Sequence, residues 1–120
     1  MEKILNMFKA LGDESRLRIL LMLRIRPLCV CEINQVLNIA LSTTSQHLKQ
    51  LKFAGLIEDS KEGRWVTYKL SGQNTFFTDL LKNIETKLWD HPKIKKDRST
   101  ISTVTREECW RNLKQKQAGL

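Results

Sequence analysis

Two cysteines stand one residue apart in PLCVCEINQVL (27–37), and a third, Cys109, lies far downstream beside Trp110. Thiols at short spacing are ligands for soft, thiophilic ions, and neither a histidine nor a paired carboxylate set accompanies them. An odd cysteine count does not suit a disulfide framework. The plain alternative is that all three are small apolar fillers, because free cysteine is among the most buried residue types. Spacing argues against simple burial of both Cys29 and Cys31. Side chains two residues apart on a regular helix point about 200° away from each other. They converge on one ion only if the helix's first turn is distorted or frayed, which the preceding Pro27 and the unpaired amides of that turn permit. Arg24, Arg26 and the helix N-terminus are expected to lower the thiol pKa values. Cys109 follows Thr105-Arg-Glu-Glu108, a capping-box pattern that places it in a helix's first turn, where a thiolate is favoured.

A second group of residues suits another chemistry. The stretch LSTTSQHLKQLKFAGL (41–56) carries Ser42, Thr43, Thr44, Gln46, His47, Lys49 and Gln50 on positions free of its apolar stripe. Glutamine can read adenine bidentately, hydroxyls contact bases or phosphates, and lysine reads guanine or phosphate. Lys61 and Arg64 flank the turn of a hairpin signal centred on Gly63, within reach of a DNA backbone or minor groove.

The elements that must position these groups follow from periodicity. Residues 3–11 form a helix with Ile4, Leu5, Phe8 and Leu11 on one stripe. Asp13 is the expected N-cap of a central core helix, SRLRILLMLR. Residues 29–38 form a short helix closed by Asn38. The next helix starts in the hydroxyl row, with Thr43 and Gln46 as its capping box, and stops at Gly55. The hairpin follows, then a helix over 73–89. Residues 90–104 read as a linker, ahead of a final helix from Arg106. Two short helices joined by a tight turn and followed by a basic hairpin make a winged helix-turn-helix. The fold class is therefore mainly α with a small β-hairpin. Residues 1–90 form the winged domain, and 91–120 the linker and C-terminal helix.

At 120 residues the chain is one domain. Its net charge of +8 points to an anionic partner, nucleic acid first. Residues 1–92 carry 13 basic and 10 acidic side chains, and the remainder 8 and 3. No apolar run approaches the roughly 18 residues that cross a bilayer, and the N-terminus has no signal-peptide character. No membrane partner and a cytoplasmic location are expected. A thiol oxidoreductase is set aside, because CVC is not CxxC and no βαβ pattern surrounds it, so no enzyme is expected.

Taken together, KALGDESRLRILLML (9–23), LCVCEI (28–33) and LSTTSQHLKQLKFAGLIEDSKEGRWVTYKL (41–70) resemble the ArsR/SmtB family of small winged-helix metalloregulatory repressors. The resemblance covers about half of the chain. It implies a homodimer joined through residues 3–11 and 73–89 and bound to a twofold double-stranded operator. CVC in that setting belongs to sensors of trivalent arsenic and antimony, or of cadmium and lead. The cadmium/lead type adds cysteines ahead of CVC, and none precedes Cys29. The zinc/cobalt type uses paired Asp and His on the last core helix, where only His91 stands, at its end. Some arsenic sensors carry a third cysteine three residues after CVC; that position is Asn34. Arsenite forms three bonds, so two sulfurs leave one place, for water or a distant thiol; Cys109, which the resemblance does not place, is the only other thiol, from its own subunit or the partner. The reading is a repressor released by arsenite or antimonite, with no cofactor required. A redox or persulfide switch on the same fold is the rival, and a cadmium/lead sensor another.

Overall fold

A computed structural model describes residues 1–118, with side chains to residue 112; residues 119–120 of the expected C-terminal segment lie outside the described residues. Helix α1 (Glu2–Leu11) buries Met7 and Ala10 and leaves Ile4, Leu5 and Phe8 about half exposed. Asp13 caps α2 (Glu14–Ile25) as its sequence position implies, its Oδ2 accepting from the Arg16 amide at 3.0 Å. Helix α2 buries Ile19 through Leu23 without a break. A helix apolar on all sides must sit at the centre.

The chain then forms β1 (Leu28–Cys29), α3 (Val30–Leu37) and α4 (Leu41–Phe53). Asn38 ends α3 in the left-handed region, φ 53° and ψ 48°. Gly55 ends α4 with φ 75°, and the Leu56 amide donates back to the Leu51 carbonyl at 3.1 Å. The hairpin of β2 (Ile57–Glu62) and β3 (Trp65–Leu70) turns at Gly63, φ 60°. The sheet order is β1-β3-β2, all antiparallel, with Cys29 opposite Thr67. Helix α5 (Thr75–Leu88), capped by Asn74, inserts Phe77 and Leu81 into the core of α2, Ile33, Leu48 and Leu51. No helix among the described residues is long and apolar enough to cross a membrane.

Three local expectations change. Helix α4 begins at Leu41 with Ala40 as its N-cap and no side-chain cap, so Thr43 and Gln46 form no capping box. Cys29 lies in an extended residue that caps α3 rather than inside the helix. The segment 90–104 is not a linker: it folds as α6 (Pro92–Ile101), followed by α7 (Arg106–Ala118). Pro92 stands at the first turn, and His91 Nδ1 accepts from the Lys93 amide at 3.2 Å. The buried face of α6 is Ile94, Asp97 and Ile101. An acid in the middle of that stripe hides the helical period. Asp97 is buried because Arg18 on α2 grips it twice, Nε to Oδ2 and Nη2 to Oδ1, each 2.8 Å. Geometry of this kind, with side chains only 14% and 8% exposed, makes the pair far stronger than a surface ion pair.

Removing one partner strands a buried charge. Asp97→Ala is expected to cost about 3 kcal/mol in urea unfolding, and Arg18→Ala a similar amount. The double variant should recover part of the sum, because the two sites share one interaction. Singles within 0.5 kcal/mol of wild type, on the order of a neutral surface change, would show that α6 is held by apolar packing alone.

A buried sulfur cluster beside the helix-turn-helix

The three cysteines meet. Cys29, Cys31 and Cys109 form one buried cluster, walled by Val30, Trp65, Val104 and Trp110. All three are free thiols. Cys109 thus reaches its partners within one subunit. The angular conflict of CVC is removed by backbone, not by distortion. Cys29 has strand-like φ −85° and ψ 166°, so only Cys31 obeys the helix and both sulfurs face α7. Among the described residues, no three His, Cys, Asp or Glu side chains stand in an arrangement that holds a metal ion as it is. The sulfurs are gathered but not set.

Two charged residues build this corner. Glu32, buried on α3, accepts from the Cys29 amide at 3.0 Å, a capping box with sulfur in place of the usual hydroxyl. Arg26 Nη2 pairs with Glu32 Oε2 at 2.9 Å and also donates to the carbonyls of Ile101, 3.2 Å, and Val104, 3.0 Å. Those carbonyls close α6 and lead into α7. Thr105 Oγ1 then accepts from the Glu108 amide at 3.3 Å, as its sequence pattern implies. An open cleft of about 430 Å³ lies alongside, bordered by Arg26, Glu32, Thr67, Val104 and Arg106.

The expected low thiol pKa values are not found. Burial pushes Cys29 up to about 11, Cys31 in the same direction, and Cys109 up to about 12. Arg26 is spent on Glu32, and Arg24 on Glu85 at 2.9 Å, so neither arginine offsets desolvation. The Glu32 carboxylate adds to the upward shift of Cys29 and Cys109.

On α4, Ser42, Thr43, Gln46, Lys49 and Gln50 lie on the exposed side, as do Lys61 and Arg64 on the wing. Thr44 and His47 depart from that row. Thr44 is fully buried, its hydroxyl donating to Asn34 Oδ1 on α3 at 2.6 Å. The His47 side chain is 14% exposed, between Asp13 and Arg16. Both stand four residues before a buried leucine, Leu48 and Leu51 respectively, and so lie on the inward face of α4. Arg16 escaped the sequence reading. Its Nη1 donates to Gln50 Oε1 at 2.6 Å and its Nε to the Ala10 carbonyl at 2.9 Å, so it closes α1 while setting the position of the exposed Gln50 amide. Nothing in its sequence context marks this, because the partners are 34 and 6 residues away.

A three-stranded wing behind a helix-turn-helix defines the class: a winged helix-turn-helix regulator. Residues 13–59 match the family "Bacterial regulatory protein, arsR family". The arsenic resistance transcriptional regulator ArsR1 of Pseudomonas putida is 39% identical over 79 residues, 64% of this chain and 62% of that protein. The arsenical resistance operon repressor of Escherichia coli is 43% identical over 68 residues, 56% of this chain and 58% of that protein. The cadmium resistance regulatory protein CadC of Listeria innocua is 40% identical over 62 residues, 51% and 52%. The chain thus spans little more than half the length of these relatives. Among solved structures, HlyU from Vibrio cholerae matches with a TM-score of 0.68 and 32% identity, covering 74% of this chain and 95% of that one. A winged helix-turn-helix DNA-binding domain from Mycobacterium bovis, described as homodimeric, matches with a TM-score of 0.64 and 27% identity, over 76% and 82%. The chain belongs to the ArsR family, whose members are DNA-binding transcription factors rather than enzymes.

Burial of protonated thiols has a pH signature. An unfolded-chain thiol titrates near about 8.5. The folded chain keeps the Cys29 and Cys109 protons to about 11 and 12. Their contribution to stability is therefore complete below the unfolded value and is lost as pH rises through that window. Alkylation of Cys29 and Cys109 by iodoacetamide at pH 8, followed by mass spectrometry, should be far slower in the native protein than after unfolding. Equal rates would mean the cluster is open.

Proposed function

We propose that the protein is a metalloid-responsive transcriptional repressor. It binds operator DNA as a homodimer, and trivalent arsenic or antimony captured by Cys29, Cys31 and Cys109 releases it. The observation that carries this reading is the gathering of all three cysteines into one buried cluster where α7 meets the start of α3, the helix that abuts α4. Each arsenic–sulfur bond forms as an arsenic–hydroxide bond breaks, and the thiol proton leaves with the hydroxide as water. Three such exchanges give a neutral product, which suits walls of Val30, Trp65 and Val104. Cadmium or lead on three thiolates leaves a net negative charge there, which burial penalises. The names of relatives include both arsenic and cadmium resistance regulators, and this charge argument favours arsenic.

Coupling to DNA runs through α3. Closing three gathered but unset sulfurs on one atom draws the start of α3 and α7 together. Helix α3 is joined to α4 by the half-buried Thr44–Asn34 hydrogen bond, so α4 follows. Ser42, Thr43, Gln46, Lys49 and Gln50 are the DNA-facing side chains of α4, with Lys61 and Arg64 on the wing; Thr44 and His47 position them. Ligand binding thereby favours a geometry with lower DNA affinity, which is what allostery requires. Half-exposed Ile4, Leu5 and Phe8 on α1 and Phe76 on α5 supply an apolar face for the second subunit.

Titration of arsenite, antimonite, cadmium, lead and zinc against the reduced protein on its upstream DNA tests the reading. Arsenite and antimonite should release the DNA. Cys29→Ser and Cys31→Ser should each bind DNA and stay bound. X-ray absorption should count three sulfurs per arsenic, and two in Cys109→Ser with weaker induction. A double serine variant of Cys29 and Cys31 that arsenite releases normally refutes the site. Independently, Gln46→Ala should cost about 1–3 kcal/mol of specific binding. Lys61→Ala should weaken all sequences alike and reduce the salt slope by about one.

A further inference from the structure

Helix α7 does more than deliver Cys109. The next residue, Trp110, points from α7 to the wing, where its ring meets Trp65 edge to face with centroids 6.4 Å apart. The Arg64 guanidinium lies over both rings, 4.9 Å from the Trp65 centroid and 5.0 Å from that of Trp110. Arg106, at the start of α7, lies 5.2 Å from the Trp65 centroid and 3.6 Å from Glu62 at the end of β2. The wing tip is thus bound to the C-terminal helix through two arginines and two tryptophans. Arg64 is also the wing cation nearest the turn.

We propose that Trp110 is a positioning residue for the wing: it holds Arg64 against α7, and DNA must take the guanidinium from it. This rests on the repressor reading above and gives it a second output. Without inducer, α7 is held to the sulfur cluster by packing, and operator phosphates compete for Arg64. With arsenic bonded to Cys29, Cys31 and Cys109, α7 is covalently tied to β1 and α3. Trp110 then cannot withdraw, and Arg64 stays off the DNA. Both the recognition helix and the wing would report one binding event, through α3 and α7 respectively. The coupling is reciprocal, so DNA that captures Arg64 loosens α7 and weakens arsenic binding.

The test uses the full chain and Trp110→Leu, which keeps an apolar side chain on the helix and removes the π face. Trp110→Phe is the conservative control. Operator affinity is measured by fluorescence anisotropy across a salt series, first without arsenite. Trp110→Leu should bind about 2- to 30-fold more tightly, the equivalent of one cation–π contact removed from the free state. Its salt slope should steepen by about one phosphate contact, and Trp110→Phe should lie between it and wild type. Arsenite should still bind Trp110→Leu, with a smaller loss of operator affinity than in wild type. A second readout is independent of DNA. The Arg64 Nε–Hε resonance should be ring-current shifted in wild type and move toward the free-arginine position in Trp110→Leu. An unshifted Arg64 resonance in wild type, or weaker DNA binding with an unchanged salt slope in Trp110→Leu, overturns the proposal. Wild-type protein that binds no DNA while the Arg64 shift is present refutes the repressor reading and leaves the clamp standing. Wild-type release by cadmium but not arsenite refutes the inducer and likewise leaves the clamp.

Discussion

The Arg26 guanidinium is the joint on which the sulfur site depends. It faces Glu32 on one side and the carbonyls of Ile101 and Val104 on the other. Through Glu32 it fixes the amide of Cys29 and the start of α3. Through the carbonyls it fixes the corner between α6 and α7, and hence Cys109. A guanidinium is planar and cannot lose its proton, so it can satisfy a carboxylate and two carbonyls at once in a defined geometry. A lysine there would be a single point charge and could not hold both sides in register. Two segments separated by some 70 residues are joined at this one side chain, and the chemistry of the cysteines follows from where it puts them.

Burial has two consequences for those cysteines. It keeps the thiols protonated, which lowers their reactivity toward oxidants and alkylating agents, since the thiolate is the nucleophile. In the proposed metalloid site, it also selects the ligand by the charge of the product rather than by the number of sulfurs. A site of exposed, acidic thiols would attract any soft cation. A protonated, apolar one favours a reagent that brings its own leaving groups to carry the protons away. Selectivity of this kind needs no extra ligand, only a wall of Val30, Val104 and the two indoles.

The exposed face of α4 is built in the same economical manner. Thr44 gives up its hydroxyl to Asn34, and His47 gives up its exposure to Asp13 and Arg16. Arg16 closes α1 and holds Gln50 with the same guanidinium. Exposed side chains of α4 are thus placed by neighbours on other elements. Helix α4 is thereby held against α2 and α3.

The sequence by itself determined the winged helix-turn-helix order, the caps at Asp13, Asn38 and Thr105, the turn at Gly63 and the identity of the candidate ligands. These are local matters, decided by apolar period and by residues within about four positions of one another. Tertiary structure decided the rest. It turned Thr44 and His47 inward, because Asn34 on α3 and Asp13 and Arg16 at the start of α2 stand there to meet their polar groups. It made a helix of residues 92–101, because Asp97 can occupy a buried face only when Arg18, 79 residues away, is there to meet it. It raised the thiol pKa values that a local count of arginines would lower, because it buried the thiols and gave those arginines to carboxylates on other elements. And it brought Cys109 to Cys29 and Cys31, since a cysteine's spacing along the chain carries no information about which of two distant helices will fold over it.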